Sequence, residues 1–209
     1  MHPYLTRLGV RPEVQVFFAS YYLGSSGDLV FQQGNYREHF GLSFHRVQAG
    51  NDLWIAGESN LALVSRVFVG HSAMDIIAFL HYYGQTLANW DSAVFIATGA
   101  KLAAAQLRWI SDNLADKSLT LLFPADLPGA VADLKVAAAF RRMPAAAFLT
   151  EKEKLKICFR SRVFEFDQQD FSLSAFEKAS GHRFNVSTRK PKHGASFLEQ
   201  LKAGAFPIH

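Results

Sequence analysis

The chain has almost no cysteine: of its 209 residues, only Cys158 is one. No disulfide can close within it, and neither a disulfide-stapled scaffold nor a thiolate-rich zinc site is open to it, so an intracellular protein is expected. Long apolar runs are missing too. The most apolar stretch, residues 61–83, is broken by Arg66, His71 and Asp75. Residues 1–10 lack the charged-then-apolar pattern and small-residue cleavage site of a secretory leader. Neither secretion nor membrane spanning is expected, and the expected location is the cytoplasm. No internal repeat, heptad pattern or low-complexity tract stands out.

What is present is an ordinary globular composition, 49% hydrophobic and 19% charged, in a chain long enough to bury a sizeable core. The formal charge is +4, and its placement is uneven. Residues 1–144 hold 11 Lys+Arg and 11 Asp+Glu, whereas residues 145–209 hold 11 and 7, so the whole excess lies in the last third. A polyanion would meet that part first.

The order of apolar patterns divides the chain into three stretches. Residues 1–65 form a β-rich leading segment of turn-separated strands. Residues 28–31 follow a Gly-Ser-Ser-Gly turn, Phe40, Leu42 and Phe44 alternate with polar neighbours, and residues 52–56 make a further short run. Residues 66–143 are an α/β core, in which short apolar runs at 66–69, 93–97 and 119–123 each precede a helix-length periodic segment. In the first helix Ser72 can cap a stripe of Met74, Ile77, Leu80 and Tyr83; the second spans about 102–115 and the third 129–143. Three such units in a row require crossovers and therefore a mainly parallel central sheet with flanking helices, its site at the carboxyl ends of the strands. Pro144 and the charged run 151–156 mark the boundary of a basic β-α-β-α tail, residues 144–209. There Leu155, Ile157, Phe159 and Val163 alternate with Lys156, Cys158, Arg160 and Arg162 as one half-buried strand with a basic outer face. Residues 183–189 look similar, and residues 196–202 suggest a closing helix.

The sharpest local motif is Gly70-His71-Ser72-Ala73-Met74, placed between a strand and a helix as in the nucleophile elbow of serine hydrolases. A triad of Ser72, Asp126 and His182 or His193 runs in the right chain order. However, Met74 stands where that elbow has its last glycine, and eight histidines make such orders easy to draw. The simpler reading of Ser72 is a helix cap.

The same strand ends carry a second comparison. The segment RVFVGHSAMDI (66–76) resembles the first motif of toprim domains, the metal-dependent cores of bacterial-type primases, topoisomerases and related nucleases, with His71 at the family's glutamate and Asp75 at its first aspartate. LLFPADLPG (121–129) resembles the Asp-x-Asp-x-x-Gly turn, with Pro124 and Asp126 at the two aspartates and Gly129 at the glycine. FIATG (95–99) resembles the middle strand and its turn, and residues 27–47 resemble the short strands that precede the toprim unit in primase-like proteins of plasmids and mobile elements. These stretches cover about half the chain.

In that family the glutamate works as an acid or base while the aspartates hold a divalent cation at the reacting phosphate. His71 is not a hard oxygen ligand and Pro124 offers no side-chain ligand. The resemblance therefore implies a degenerate toprim-like protein that leans away from enzymatic function, with His71, Asp75 and Asp126 as the remnant site and a binding or accessory role in the DNA metabolism of a mobile element. No cofactor is expected, although Asp126 could share magnesium with substrate phosphates and water. The enzyme alternatives are the Ser72 hydrolase and a divalent-metal primase or nuclease with relocated ligands.

The basic tail offers Lys156, Arg160, Arg162, Arg183, Arg189, Lys190 and Lys192 as a face for DNA or RNA phosphates, provided its two strands pair with their apolar sides inward. Replication or mobilisation proteins are the protein partners to expect. His39, His45 and His71 suit a transition metal by ligand type, but their spacing matches no strong ligand motif. His39 and His45 are expected to share one partly solvated strand face.

Overall fold

The computed structural model describes residues 1–24, 27–41, 43–143, 145–150 and 154–205. The chain begins with two short helices, α1 (Pro3–Arg7) and α2 (Pro12–Phe18), where strands were expected. Each opens on a proline, which suits a first turn whose N–H groups lack partners anyway. Five and seven residues are too few to display a helical period, and burial of Tyr4, Leu5, Val14 and Phe18 holds both helices in place.

Four antiparallel strands follow in the order of the chain: β1 (Leu23–Gly24), β2 (Leu29–Gln33), β3 (Tyr36–Phe40) and β4 (His45–Val47). The expected alternation through Phe40 and Phe44 is cut by a turn, in which Gly41 N–H donates to the Phe44 carbonyl. Phe40 is buried and Phe44 is exposed. His45 pairs across from Phe40 and His39 from Arg46, so the two histidines lie on opposite faces rather than on one. Leu42 and residues 25–26 of the Gly-Ser-Ser-Gly turn lie outside the described residues, as do Pro144 and residues 151–153 of the charged run.

The central repeat has the predicted form. β6 (Arg66–Gly70), which follows β5 (Trp54–Gly57), leads into α3 (Ala73–Tyr83); β7 (Val94–Ala97) leads into α4 (Ala104–Asn113); and β8 (Ser118–Leu121) leads into α5 (Leu127–Phe140). β6 lies parallel to both β7 and β8. The sheet also takes strands from outside the repeat. β5 runs antiparallel along β7, and from the tail β12 (Ser187–Thr188) runs parallel along β8, giving the order β12-β8-β6-β7-β5.

Alternate residues of these strands enter two cores. Val67, Val69, Val94, Ile96, Leu119 and Leu121 pack with α4, α5 and the tail. Phe68, Phe95 and Ala97 pack with α3, the first two helices and α7 (Phe197–Ala205). Both faces are covered, which is why these strands read as continuous apolar runs.

The tail departs from its expected form. β9 (Ala146–Leu149), β10 (Lys154–Phe159) and β11 (Arg162–Asp167) form a separate antiparallel sheet, followed by α6 (Leu173–Ser180). The single strand expected from Leu155 to Val163 is a hairpin. Arg160 and Ser161 sit at φ 49° and 61°, the left-handed pair that a two-residue turn between twisted strands requires. Across the hairpin Lys156 meets Glu165 at 3.6 Å, and Lys154 meets Asp167, so acids on β11 balance the basic face of β10. Only Ser187 and Thr188 of the second predicted strand pair, and they join the central sheet instead of β10. Phe184, wholly buried, directs that segment toward α5, where Arg141 donates to the carbonyls of Phe184 and Asn185. Among the described residues, no helix is long and apolar enough to cross a membrane.

Candidate functional site

The strand after β6 lies on one side of it and the next strand on the other, so the loops leaving the carboxyl ends diverge at β6. Open α/β sheets bind ligands at such a point. A cleft of about 560 Å³ lies there, large enough for a small ligand. His71 enters it from the loop after β6, Lys101 from the loop after β7, and Pro124 and Asp126 from the loop after β8. His45 of β4, Lys135 of α5 and Thr98 add to its polar lining.

Glu38 supports one wall. It stands on the apolar face of β3 between Tyr36 and Phe40, and its side chain is fully buried. The Ala73 and Met74 N–H groups at the start of α3 donate to its carboxylate at 2.6 and 3.1 Å, the Tyr36 hydroxyl donates at 2.6 Å, and His45 Nε2 lies at 2.9 Å. A helix amino terminus favours such an anion. Burial, with this carboxylate beside it, pushes the Tyr36 phenol well above its ordinary range. Sequence reasoning missed Glu38, although a glutamate on the apolar side of an alternating strand was a usable signal. Nothing local marks Lys101 or Lys135.

Ser72 is the cap of α3. Its Oγ accepts the Asp75 N–H at 3.1 Å and donates to the Asp75 carboxylate at 2.9 Å, and its side chain is wholly buried. The other oxygen of Asp75 accepts the N–H of Leu198 at 2.9 Å, in the first turn of α7. The same carboxylate lies 3.3 Å from His71 Nδ1, a buried nitrogen that makes no hydrogen bond. His182, drawn into the triad from sequence, packs instead against Phe159 and Phe184 in the tail, and the Ser72 hydroxyl bonds Asp75 rather than a histidine. His193 is exposed, its N–H turned to Gln200.

Asp126 is exposed and caps α5 by accepting the Gly129 N–H at 2.8 Å. Gly129 is required there, because a Cβ would meet the Pro124 carbonyl oxygen at 2.1 Å. Lys190, expected on a nucleic-acid face, is instead bound beneath this turn. Its ammonium donates to the carbonyls of Phe123 and Pro124 and to Asp133 at 2.6 Å. Asp133 is buried, and burial raises its carboxyl to about 6 against the opposing pull of Lys190.

Compared with known proteins, the chain matches no family model, no curated protein and no solved structure.

The remaining tail cations stand on two separate elements. Arg160 stands in the hairpin turn and Arg162 opens β11 after it, each guanidinium over a phenylalanine ring, while Arg183, Arg189 and Lys192 are exposed on the segment around β12. Of the histidines considered for a metal, His39 pairs with Asp28 and His45 with Glu38. Among the described residues, no group of three or more His, Cys, Asp or Glu is placed to hold a metal ion.

Proposed function

We propose that the chain is a toprim-like scaffold protein, degenerate in the family's metal-dependent catalysis, with a cytoplasmic binding or accessory role in the DNA metabolism of a mobile element. The observation that carries this reading is how the motif positions are used. At the strand ends stand His71 and Pro124, and the two remaining acids are engaged as helix caps, Asp75 on the Ser72 hydroxyl and the Leu198 N–H and Asp126 on the Gly129 N–H. The strand–helix repeat and its carboxyl-end cleft support the same reading. DNA or RNA phosphates are met by the exposed Arg160, Arg162, Arg183, Arg189 and Lys192. Lys156 and Lys190, each held by an acid, contribute less.

The test has two arms. Purified protein assayed with magnesium for nicking and primer synthesis is expected to be inactive, and magnesium-dependent turnover abolished by Asp126→Ala would overturn the degenerate reading. Binding to a labelled single-stranded oligonucleotide should fall steeply with salt and be lost in an Arg160→Glu, Arg162→Glu variant. Absence of binding at low salt would remove the nucleic-acid role.

A further inference from the structure

The carboxyl-end cleft combines features that its role in the fold does not use. Neither Lys101 nor Lys135 makes an ion pair among the described residues, yet both line it. Two histidines line it as well, each backed by a buried carboxylate, His45 by Glu38 and His71 by Asp75. Val47, Leu102, Phe123 and Val131 supply an apolar wall beside these four basic side chains. The lining suits a ligand that is anionic at one end and flat or apolar at the other.

We infer that this cleft is a receptor for a nucleoside monophosphate group, either a free mononucleotide or the phosphorylated end of a strand. The nucleotide is chosen on the strength of the nucleic-acid reading above, whereas the phosphate site rests on the cleft alone. The two lysines meet the phosphate charge as point cations. Asp126, exposed in the cleft lining, opposes an anion, but the Gly129 N–H holds one of its oxygens, and it is outnumbered by the two lysines, which have no ion pair among the described residues. Glu38 and Asp75 are both buried behind their histidines.

His45 favours a monoester over a diester. With Nε2 of His45 turned to the Glu38 carboxylate, Nδ1 is that ring's remaining polar atom. The imidazolium form would donate from it to a phosphate oxygen, and the neutral form would accept from a protonated one. A phosphate monoester offers both states, since its second proton titrates near pH 6, whereas a diester carries no such proton. The cleft's volume of about 560 Å³ accommodates one nucleotide rather than a duplex.

The experiment is calorimetric titration of the full chain with the four 5′-mononucleotides, with adenosine and with 3′,5′-cyclic AMP, followed by a short single strand with and without a 5′-phosphate. At least one mononucleotide should bind about tenfold or more tightly than adenosine, and AMP more tightly than its cyclic diester. A Lys101→Ala, Lys135→Ala variant should lose at least about tenfold in affinity with little change in melting temperature, since Lys101 is exposed, Lys135 is half-buried, and neither makes an ion pair among the described residues. A 5′-phosphorylated strand binding as well as the mononucleotide identifies a strand end as the ligand; a strand that fails where the mononucleotide binds identifies the free nucleotide. Either result supports the site. Binding of none of the four mononucleotides, binding of all four no tighter than that of adenosine, or an unaffected double-lysine variant would overturn it. The Arg160→Glu, Arg162→Glu variant should bind mononucleotides normally, so failure at the hairpin and failure at the cleft are distinguishable.

Discussion

The carboxylate of Glu38 accepts the backbone N–H of Ala73 at 2.6 Å, so a side chain from β3 closes the amino end of α3 beneath the cleft. That contact ties the antiparallel sheet of the leading segment to the first strand–helix unit, and through His45 it sets one wall of the site. Glu38→Gln puts an NH2 among groups that donate, and a cost of about 1–3 kcal/mol is expected. Glu38→Ala leaves the helix end and His45 without a buried acceptor and should cost about 3–5 kcal/mol. Urea unfolding of the two variants checks the order, which equal stabilities would contradict.

Ser72 and Asp75 act together as a cap. Ser72→Ala should destabilise the protein by about 1–2 kcal/mol. Asp75→Ala, which also releases the Leu198 N–H, should cost about 3 kcal/mol and accelerate amide exchange in α7 selectively. A serine-directed fluorophosphonate should leave the folded chain unlabelled, because the hydroxyl is buried and bonded to Asp75. Labelling at Ser72 would revive the hydrolase alternative.

Gly129→Ala forces a methyl group into the Pro124 carbonyl, which would be only 2.1 Å away. The turn must open, the Asp126 cap must shift, and about 1–3 kcal/mol of stability should be lost. Thermal unfolding measures the loss, and a neutral substitution would show that the turn is not held as described.

Asp133 gives stability a pH dependence of defined sign. Burial raises its carboxyl to about 6, above the value in an unfolded chain, so the folded state holds the proton more tightly. Its contribution is therefore greatest below the unfolded value of about 4 and declines as pH rises through about 6, by about 3 kcal/mol at most. In Asp133→Asn this decline should disappear, so the stability difference between parent and variant should change across pH 4–6 and be flat above it. Chemical denaturation at several pH values reads this directly, and parallel curves for the two proteins would contradict it.

Legibility in the sequence followed the range of the forces involved. β6, β7 and β8 and their helices were readable because two-sided burial makes a strand uniformly apolar, and a helix ten or more residues long displays its period. The Ser72 cap was readable because it acts three residues away. The two short opening helices were not, since five and seven residues carry too little periodicity. The hairpin at Arg160 and Ser161 was hidden because neither residue advertises a left-handed turn as glycine or asparagine does. Lys190 looked like a solvated cation, yet Asp133, 57 positions away, holds it under the loop after β8.

The sequence by itself therefore determined the strand–helix repeat, its parallel sense and the location of a cleft at the carboxyl ends, because local pattern and the handedness of crossovers suffice for these. His71, Pro124 and Asp126 of the cleft's lining were also read from the sequence, and tertiary structure decided the rest. It brought β5 and β12 into the sheet from either side of the repeat, tied Asp75 to the Leu198 N–H, placed Glu38 behind His45, and brought Lys101 and Lys135 to one cavity. Buried polar groups must find partners, and in this fold the partners come from segments far apart in the chain.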